Sequence, residues 1–178
     1  IIDFNVFAED LGDVTKDVIS LRDKYCFSGM CVLQFELDQM SAAEDFPENL
    51  IICTGTHDND TILGWFESLP ESSTDGAILT KDKIVHFFQC TSENIHWEII
   101  NYALSTTSNT VIIPFQDILG ENSSGRFNIP GTLSADNWSW RMKEKQLTQS
   151  LKTKLTELTI SHNRNNSTVN NLLEEELE

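Results

Sequence analysis

Carboxylates, one histidine and several amides follow directly on apolar runs of this sequence. Glu9-Asp10 comes after the run 4–8, His57-Asp58-Asn59-Asp60 after 50–54, and Gln116-Asp117 after 111–115. A further run, 30–35, contains Gln34 and is followed shortly by Asp38. Two carboxyls held in different surroundings divide acid and base work when those surroundings push their pKa values apart. Retaining glycosidic chemistry is one such division: one carboxyl protonates the leaving oxygen while another, about 5 to 5.5 Å away, attacks or stabilises the sugar cation. The plainer reading has Glu9 and Asp10 capping the following helix, with Asp58 and Asp60 doing the same. On pattern alone both stand.

The elements that must position these groups alternate between strand and helix. The runs 4–8, 30–35, 50–54 and 111–115 are short and apolar, which is the signature of strands buried on both faces; Pro114 marks the end of the last. Thr15 is placed to cap a helix, with Val14 and Ile19 as a staple and Asp17 in the first turn. The stripe Val18, Leu21, Tyr25 carries that helix to Ser28-Gly29. A short helix with Ile62, Leu63 and Phe66, helices over 81–89 and 92–104, and a final helix from Trp140 bearing Leu147, Leu151, Leu155 and Leu158 complete the pattern. Residues 120–135, rich in Gly, Ser and Asn, predict a long loop. Such alternation means parallel β/α units, with polar groups collected at the carboxyl ends of the strands. Periodicity does not choose between a doubly wound sheet and a β/α barrel.

Composition narrows the function classes. The 178 residues carry a formal charge of −16, 39 % apolar residues, ten Phe and four Trp. That apolar content supports a packed core rather than a disordered chain. No Lys/Arg surface is visible for counterion release from nucleic acid or for anionic lipid, and no apolar run nears the roughly 20 residues of a membrane helix. Residues 1–70 hold 14 acidic and 3 basic residues. The run Glu174, Glu175, Glu176, Glu178 predicts a solvated, disordered acidic tail over 161–178. The four cysteines, Cys26, Cys31, Cys53 and Cys90, form no C-x-x-C pair and read as free buried thiols in a reducing compartment. The first residues lack the basic flank and cleavage site of a signal peptide. A start at Ile1 points to a beginning inside a longer protein.

Several motifs, in order, are similar to those of the 4-α-glucanotransferases (amylomaltase or disproportionating enzyme). They are Ala8-Glu9-Asp10-Leu11-Gly12, Leu21-Arg22-Asp23, Gly29-Met30, Val32-Leu33-Gln34-Phe35, Thr54 through Thr61, and Gly64-Trp65. Pro114 through Gly120, Arg126-Phe127-Asn128, Pro130-Gly131-Thr132 and Asn137-Trp138-Ser139-Trp140-Arg141 follow, so the resemblance covers about 6–142. It implies an α/β fold, a (β/α)8 TIM barrel of the α-amylase-like type, of which only strands five to eight are present. Residues 1–160 are then the carboxyl-terminal half of the catalytic domain.

The same resemblance implies site residues. Glu9 matches the general acid/base, and Asp58 the carboxylate that grips sugar hydroxyls and stabilises the transition state. His57 matches a sugar-binding neighbour, while Asp38 and Asn128 fall at further sugar-contacting positions. Departures are modest: Ser28 stands where Pro is usual, Cys53 for Tyr, Phe127 for Met and Asp136 for Gly. The family's nucleophile, an Asp in an Arg-x-Asp-His type motif, has no counterpart here. The implied protein transfers α-1,4-glucan segments between maltooligosaccharides or starch and glycogen chains, without cofactor, in the cytoplasm or, in a plant-like source, a plastid. Its isolated carboxyl-terminal half is expected to be inactive and to need the missing amino-terminal half as its partner. The alternatives are a truncated remnant that at most binds glucan, and a retaining α-glucan hydrolase.

Other chemistries fail on inspection. Asp58-Asn59-Asp60 begins like a calcium loop, but Ile62 and Leu63 occupy the fifth and sixth positions, which need a carboxylate and a glycine. His57 has no companion at metal-ligand spacing, since His86 and His96 lie on helices. No G-x-S-x-G supports a serine nucleophile.

Overall fold

The computed structural model describes residues 6–39 and 41–165. The chain divides into two compact units, Ile1–Trp140 and Arg141–Glu178.

In the first unit three parallel strands form a sheet in the order β1 (Gly29–Val32), β2 (Leu50–Cys53), β3 (Thr110–Ile112). Their register pairs Gly29 with Leu50 and Ile51 with Thr110. Of the strand expected over 4–8, residues 4 and 5 lie outside the described residues. Phe7 forms a parallel bridge to Ser28, and the Ala8 amide donates to the Ser28 carbonyl at 2.8 Å. Four parallel segments therefore lie side by side in sequence order. The reversal of order that marks a doubly wound sheet does not occur among them.

Two strands are shorter than their apolar runs. β1 ends at Val32 because the backbone turns into the short helix α2 (Leu33–Glu36), which buries Leu33 and Gln34 and leaves Phe35 at the surface. β3 stops at Ile112, and Pro114, with no amide to give a ladder, instead opens the helix at Phe115. The shortening brings polar side chains to the strand ends.

One sheet face carries Val32, Ile51 and Cys53, with Leu11 and Met30 packed on them. Around the sheet lie α1 (Lys16–Lys24), α3 (Ile62–Ser68), α4 (Lys81–Phe88), α5 (Ile95–Ser105) and α6 (Phe115–Leu119). α5 packs against α3, α4 and α6 and buries Ile95, Ile99, Ile100, Ala103 and Leu104. Thr61 and Thr80 cap α3 and α4 by accepting from the Gly64 and Lys83 amides. Thr15 occupies the cap position of α1 but accepts no capping bond, and α1 buries none of its residues.

In the second unit the final helix, α7, spans Gln149–Ser161 and starts later than Trp140. Its first turn is set by Thr148, whose hydroxyl accepts from the Leu151 amide at 3.2 Å, so Leu147 precedes the helix. Residues 166–178 of the expected acidic tail lie outside the described residues. Among the described residues no helix is long and apolar enough to cross a membrane.

The sheet and α3 are joined by a buried carboxylate. Asp117, 1 % exposed, accepts from the Thr54 hydroxyl at 2.7 Å and from the Ile62 amide at 2.7 Å. Burial pushes its pKa up to about 6, against the pull of those two bonds and with the help of nearby Asp60. A carboxyl whose folded pKa exceeds its unfolded one contributes stability that is full below about pH 4 and is lost as pH rises through about 6, on the order of 3 kcal/mol. Asp117→Asn cannot titrate, so its urea-unfolding free energy should gain on wild type by that order between pH 4 and 7. Asp117→Ala should lose about 1–3 kcal/mol for each donor left unpaired. Parallel pH profiles for wild type and Asp117→Asn would contradict the assignment.

Candidate active site

The segment leaving β2 is folded on itself by short hydrogen bonds. Asn59 Oδ1 accepts from the Thr56 amide at 2.9 Å and from the Thr56 hydroxyl at 2.7 Å, and the Asp58 amide donates to Thr56 Oγ1 at 3.3 Å. The Thr56 hydroxyl accepting from the amide two residues on makes an ST turn, and the Asn59 bonds back to Thr56 close the loop locally. The Gln34 side-chain amide, in α2 just past β1, donates to the Asp60 carbonyl at 2.8 Å. Gly55 permits that approach: a Cβ there would stand 2.9 Å from Gln34 Nε2. Asp60 is spent on structure, its carboxylate accepting from the Thr61 amide at 2.8 Å and the Ser123 hydroxyl at 2.7 Å. What the loop presents outward is His57 and Asp58, with side chains 51 % and 46 % exposed.

A second loop, after α6, meets the first. Arg126 donates through Nη2 to the Asp58 carbonyl at 2.7 Å and through Nε to the Asn128 carbonyl at 2.9 Å, clamping both backbones. The Asn128 side-chain amide then donates to Asp58 Oδ1 at 2.6 Å, and His57 Nε2 lies 3.4 Å from the same oxygen. Trp138 sets its ring against His57 at 5.0 Å between centroids and meets Phe127 edge-on at 5.0 Å. A cavity of about 240 Å³ opens beneath, between His57, Asp60, Arg126, Phe127, Asp117 and Trp140.

Of the residues expected to act, His57, Asp58 and Asn128 are brought together. Glu9 sits elsewhere, exposed beside a cavity of about 250 Å³ shared with Leu11, Val18 and Ile19. Its neighbour Asp10 is fully engaged: it accepts from the Met30 amide at 2.7 Å and is paired with Arg22. Burial works against ionisation of Asp10, yet the Met30 and Arg22 bonds outweigh it and hold its pKa below the usual carboxylate value. Asp38 lies in the turn after α2, accepting from Gln39 at 3.3 Å. Among the described residues neither Glu9 nor Asp38 bonds to the His57–Asp58–Asn128 group.

Three participants lie outside the expected site residues. Asp117 is expected only after a strand and Arg126 only within a motif, while Trp138 reads as equally suited to stacking on a glucose ring and to packing under a barrel rim. Arg126, the sole basic residue in the predicted loop 120–135, was the available signal.

The cysteines are all free, but only Cys31 and Cys53 are buried; Cys26 is exposed and Cys90 half-buried. Burial pushes Cys31 up to about 12 and Cys53 to about 11, so both stay neutral thiols at physiological pH. Among the described residues no group of three or more His, Cys, Asp or Glu side chains is placed to hold a metal ion.

A sequence profile for the family described as 4-alpha-glucanotransferase matches residues 2–148. The 4-alpha-glucanotransferase of Synechocystis sp. is 39 % identical over 165 residues, covering 89 % of this chain and 31 % of the relative. The chloroplastic/amyloplastic 4-alpha-glucanotransferase of Arabidopsis thaliana is 39 % identical over 153 residues, covering 83 % of this chain and 25 % of the relative. An amylomaltase from Streptococcus agalactiae, solved in complex with acarbose, superposes with a TM-score of 0.81 at 30 % identity, over 92 % of this chain and 33 % of that one. The chain thus spans about a quarter to a third of the length of these relatives.

One of the contacts between the two loops, the Asp60–Ser123 bond, depends on a small residue. A Cβ at Gly64 would lie 2.4 Å from Ser123 Oγ and 2.5 Å from Asp60 Oδ1. Gly64→Ala should therefore break the Asp60–Ser123 bond and destabilise the protein by about 1–3 kcal/mol, read as a lowered urea midpoint at unchanged slope. Gly76→Ala, where nothing stands within 4 Å of the new methyl, is the control.

Proposed function

This chain belongs to the 4-alpha-glucanotransferase family, and we propose that it is the carboxyl-terminal half of a catalytic (β/α)8 barrel, spanning residues 1–160 and contributing strands five to eight. The unreversed order of its parallel segments supports that placement. The whole protein would transfer α-1,4-glucan segments between maltooligosaccharides or longer chains, in a cytoplasmic or plastid compartment.

The observation that carries the reading is the half-exposed carboxylate of Asp58, steadied by the Asn128 amide on one oxygen. A carboxylate accepting a hydrogen bond while facing solvent is equipped to take further donors from sugar hydroxyls. Those bonds strengthen as positive charge develops at the sugar ring, which is how such a group lowers the barrier. His57 and the Asn128 amide add polar contacts on the same side. Glu9 is the proton donor in this scheme: it protonates the leaving glycosidic oxygen, then as the carboxylate takes the proton of the acceptor's 4-hydroxyl. Asp38 contacts a further sugar unit. The nucleophile that forms the covalent glucosyl intermediate is an Asp outside these 178 residues, and retention follows from the two successive displacements at the same carbon. Asp10 supports the division between neighbours: with it locked onto Met30 and Arg22, the adjacent pair offers one carboxyl for proton transfer.

In a protein carrying the complete barrel, Glu9→Gln should lower kcat on maltotriose about 10³-fold or more. Near-normal turnover would remove Glu9 from the role. Products separate transfer from hydrolysis: longer and shorter oligomers with little new reducing sugar indicate transfer, and a steady rise in reducing ends indicates a hydrolase. The isolated 178-residue chain should leave maltotriose unchanged, as one of the two reacting carboxyls is not in it.

A further inference from the structure

Trp138 is held in a conformation that its residue type disfavours. Its φ is +63°, in the left-handed region that bulky side chains avoid. Such a backbone costs about 1–3 kcal/mol and persists only where the surroundings enforce it. Here they do. The Trp138 amide donates to the Phe127 carbonyl at 2.8 Å. The preceding Asn137 accepts from the Ile129 amide at 3.2 Å and donates to the Thr132 carbonyl at 3.2 Å. Phe127 meets the indole edge-on.

That enforcement does not bury the side chain. Trp138 remains 53 % exposed, although an indole gains most by leaving water. The ring rests on His57, whose Nε2 lies 3.4 Å from the Asp58 carboxylate that Asn128 also contacts. An exposed, rigid aromatic surface therefore borders the carboxylate that the glucan reading assigns to sugar hydroxyls. A pyranose offers the matching chemistry: an apolar C–H face between equatorial hydroxyls, so that one ring can lie flat on an indole while its edges reach a carboxylate and an amide.

We propose that Trp138 is a stacking platform for a glucose unit next to the one gripped by Asp58 and Asn128. The inference rests on the glucan reading of this site. Trp138 takes no part in bond making; it binds, and it fixes the chain's direction across the site. Stacking of this kind is aromatic and sequence-tolerant, so Phe at 138 should retain most of it and an aliphatic residue should not.

The test uses the full-length protein carrying this segment. Wild type, Trp138→Phe, Trp138→Leu and Trp138→Ala are compared for maltotriose KM and kcat, and for maltoheptaose binding by calorimetry. The platform requires Leu and Ala to raise KM and Kd about tenfold, more than they lower kcat, with Phe within about threefold of wild type. It also requires maltoheptaose to shield part of the wild-type indole fluorescence from acrylamide, a shielding that Trp138→Phe loses while still binding. This last measurement holds even if the Leu and Ala variants fail to fold. Unchanged KM and Kd in folded Trp138→Leu, or identical shielding in wild type and Trp138→Phe, overturns the platform and leaves the glucan reading intact. A wild-type protein that neither binds maltoheptaose nor acts on maltotriose overturns both.

Discussion

A single buried carboxylate fixes both ends of the loop that bears His57 and Asp58. Asp117 comes from the segment after β3, yet its two oxygens are used by Thr54, at the end of β2, and by the first amide of α3 at Ile62. Everything between those anchors, including His57 and Asp58, is a loop whose two ends are tied to the same side chain. Burying a carboxylate is costly without partners, and the shift of Asp117 to about 6 is the mark of that cost. What the cost secures is a fixed starting point for a short loop. The Thr56–Asn59 bonds then fold the loop, and Arg126 attaches it to the next one.

The loops show a consistent separation between carboxylates that hold and carboxylates that are held out. Asp10, Asp60 and Asp117 accept backbone amides and are committed to architecture. Asp58 and Glu9 lie beside them in sequence or space and remain exposed. The ends of the 4–8 segment, β2 and β3 thus each contain one carboxylate of the first kind. Close approach of backbone is part of the same economy of space, since Gly55 and Gly64 stand where a methyl would meet Gln34 and Ser123.

The strand–helix alternation and the placement of polar groups after strands were legible because they follow from local periodicity. Helix starts at Thr61 and Thr80 are likewise local chemistry, a hydroxyl and an amide three residues on. The end of β1 was not legible: Leu33 continues the apolar run without a break, and the Gln34 bond that accompanies the turn reaches Asp60, 26 residues away. The clamp made by Arg126 was not legible for a related reason. It recognises two backbone carbonyls, and a carbonyl leaves no trace in residue identity. The part played by Trp138 was not legible because an aromatic after a loop is as readily packing as surface, and its left-handed φ is a property of the folded chain. The resemblance in motif order supplied what periodicity lacked, a choice of barrel over doubly wound sheet and roles for Glu9, Asp58 and Asn128.

The Asp10 lock has a consequence for how this stretch of sequence can change. Glu9 and Asp10 are adjacent, and the second is tethered to β1 through Met30 and to α1 through Arg22. The tether acts as a reading frame in space. Inserting or deleting one residue between Phe7 and Asp10 would either tear the tether or shift Glu9 by a residue along the extended backbone and turn it toward the other side. The segment therefore tolerates single substitutions better than changes of length; at Gly76, by contrast, nothing stands within 4 Å of an added methyl.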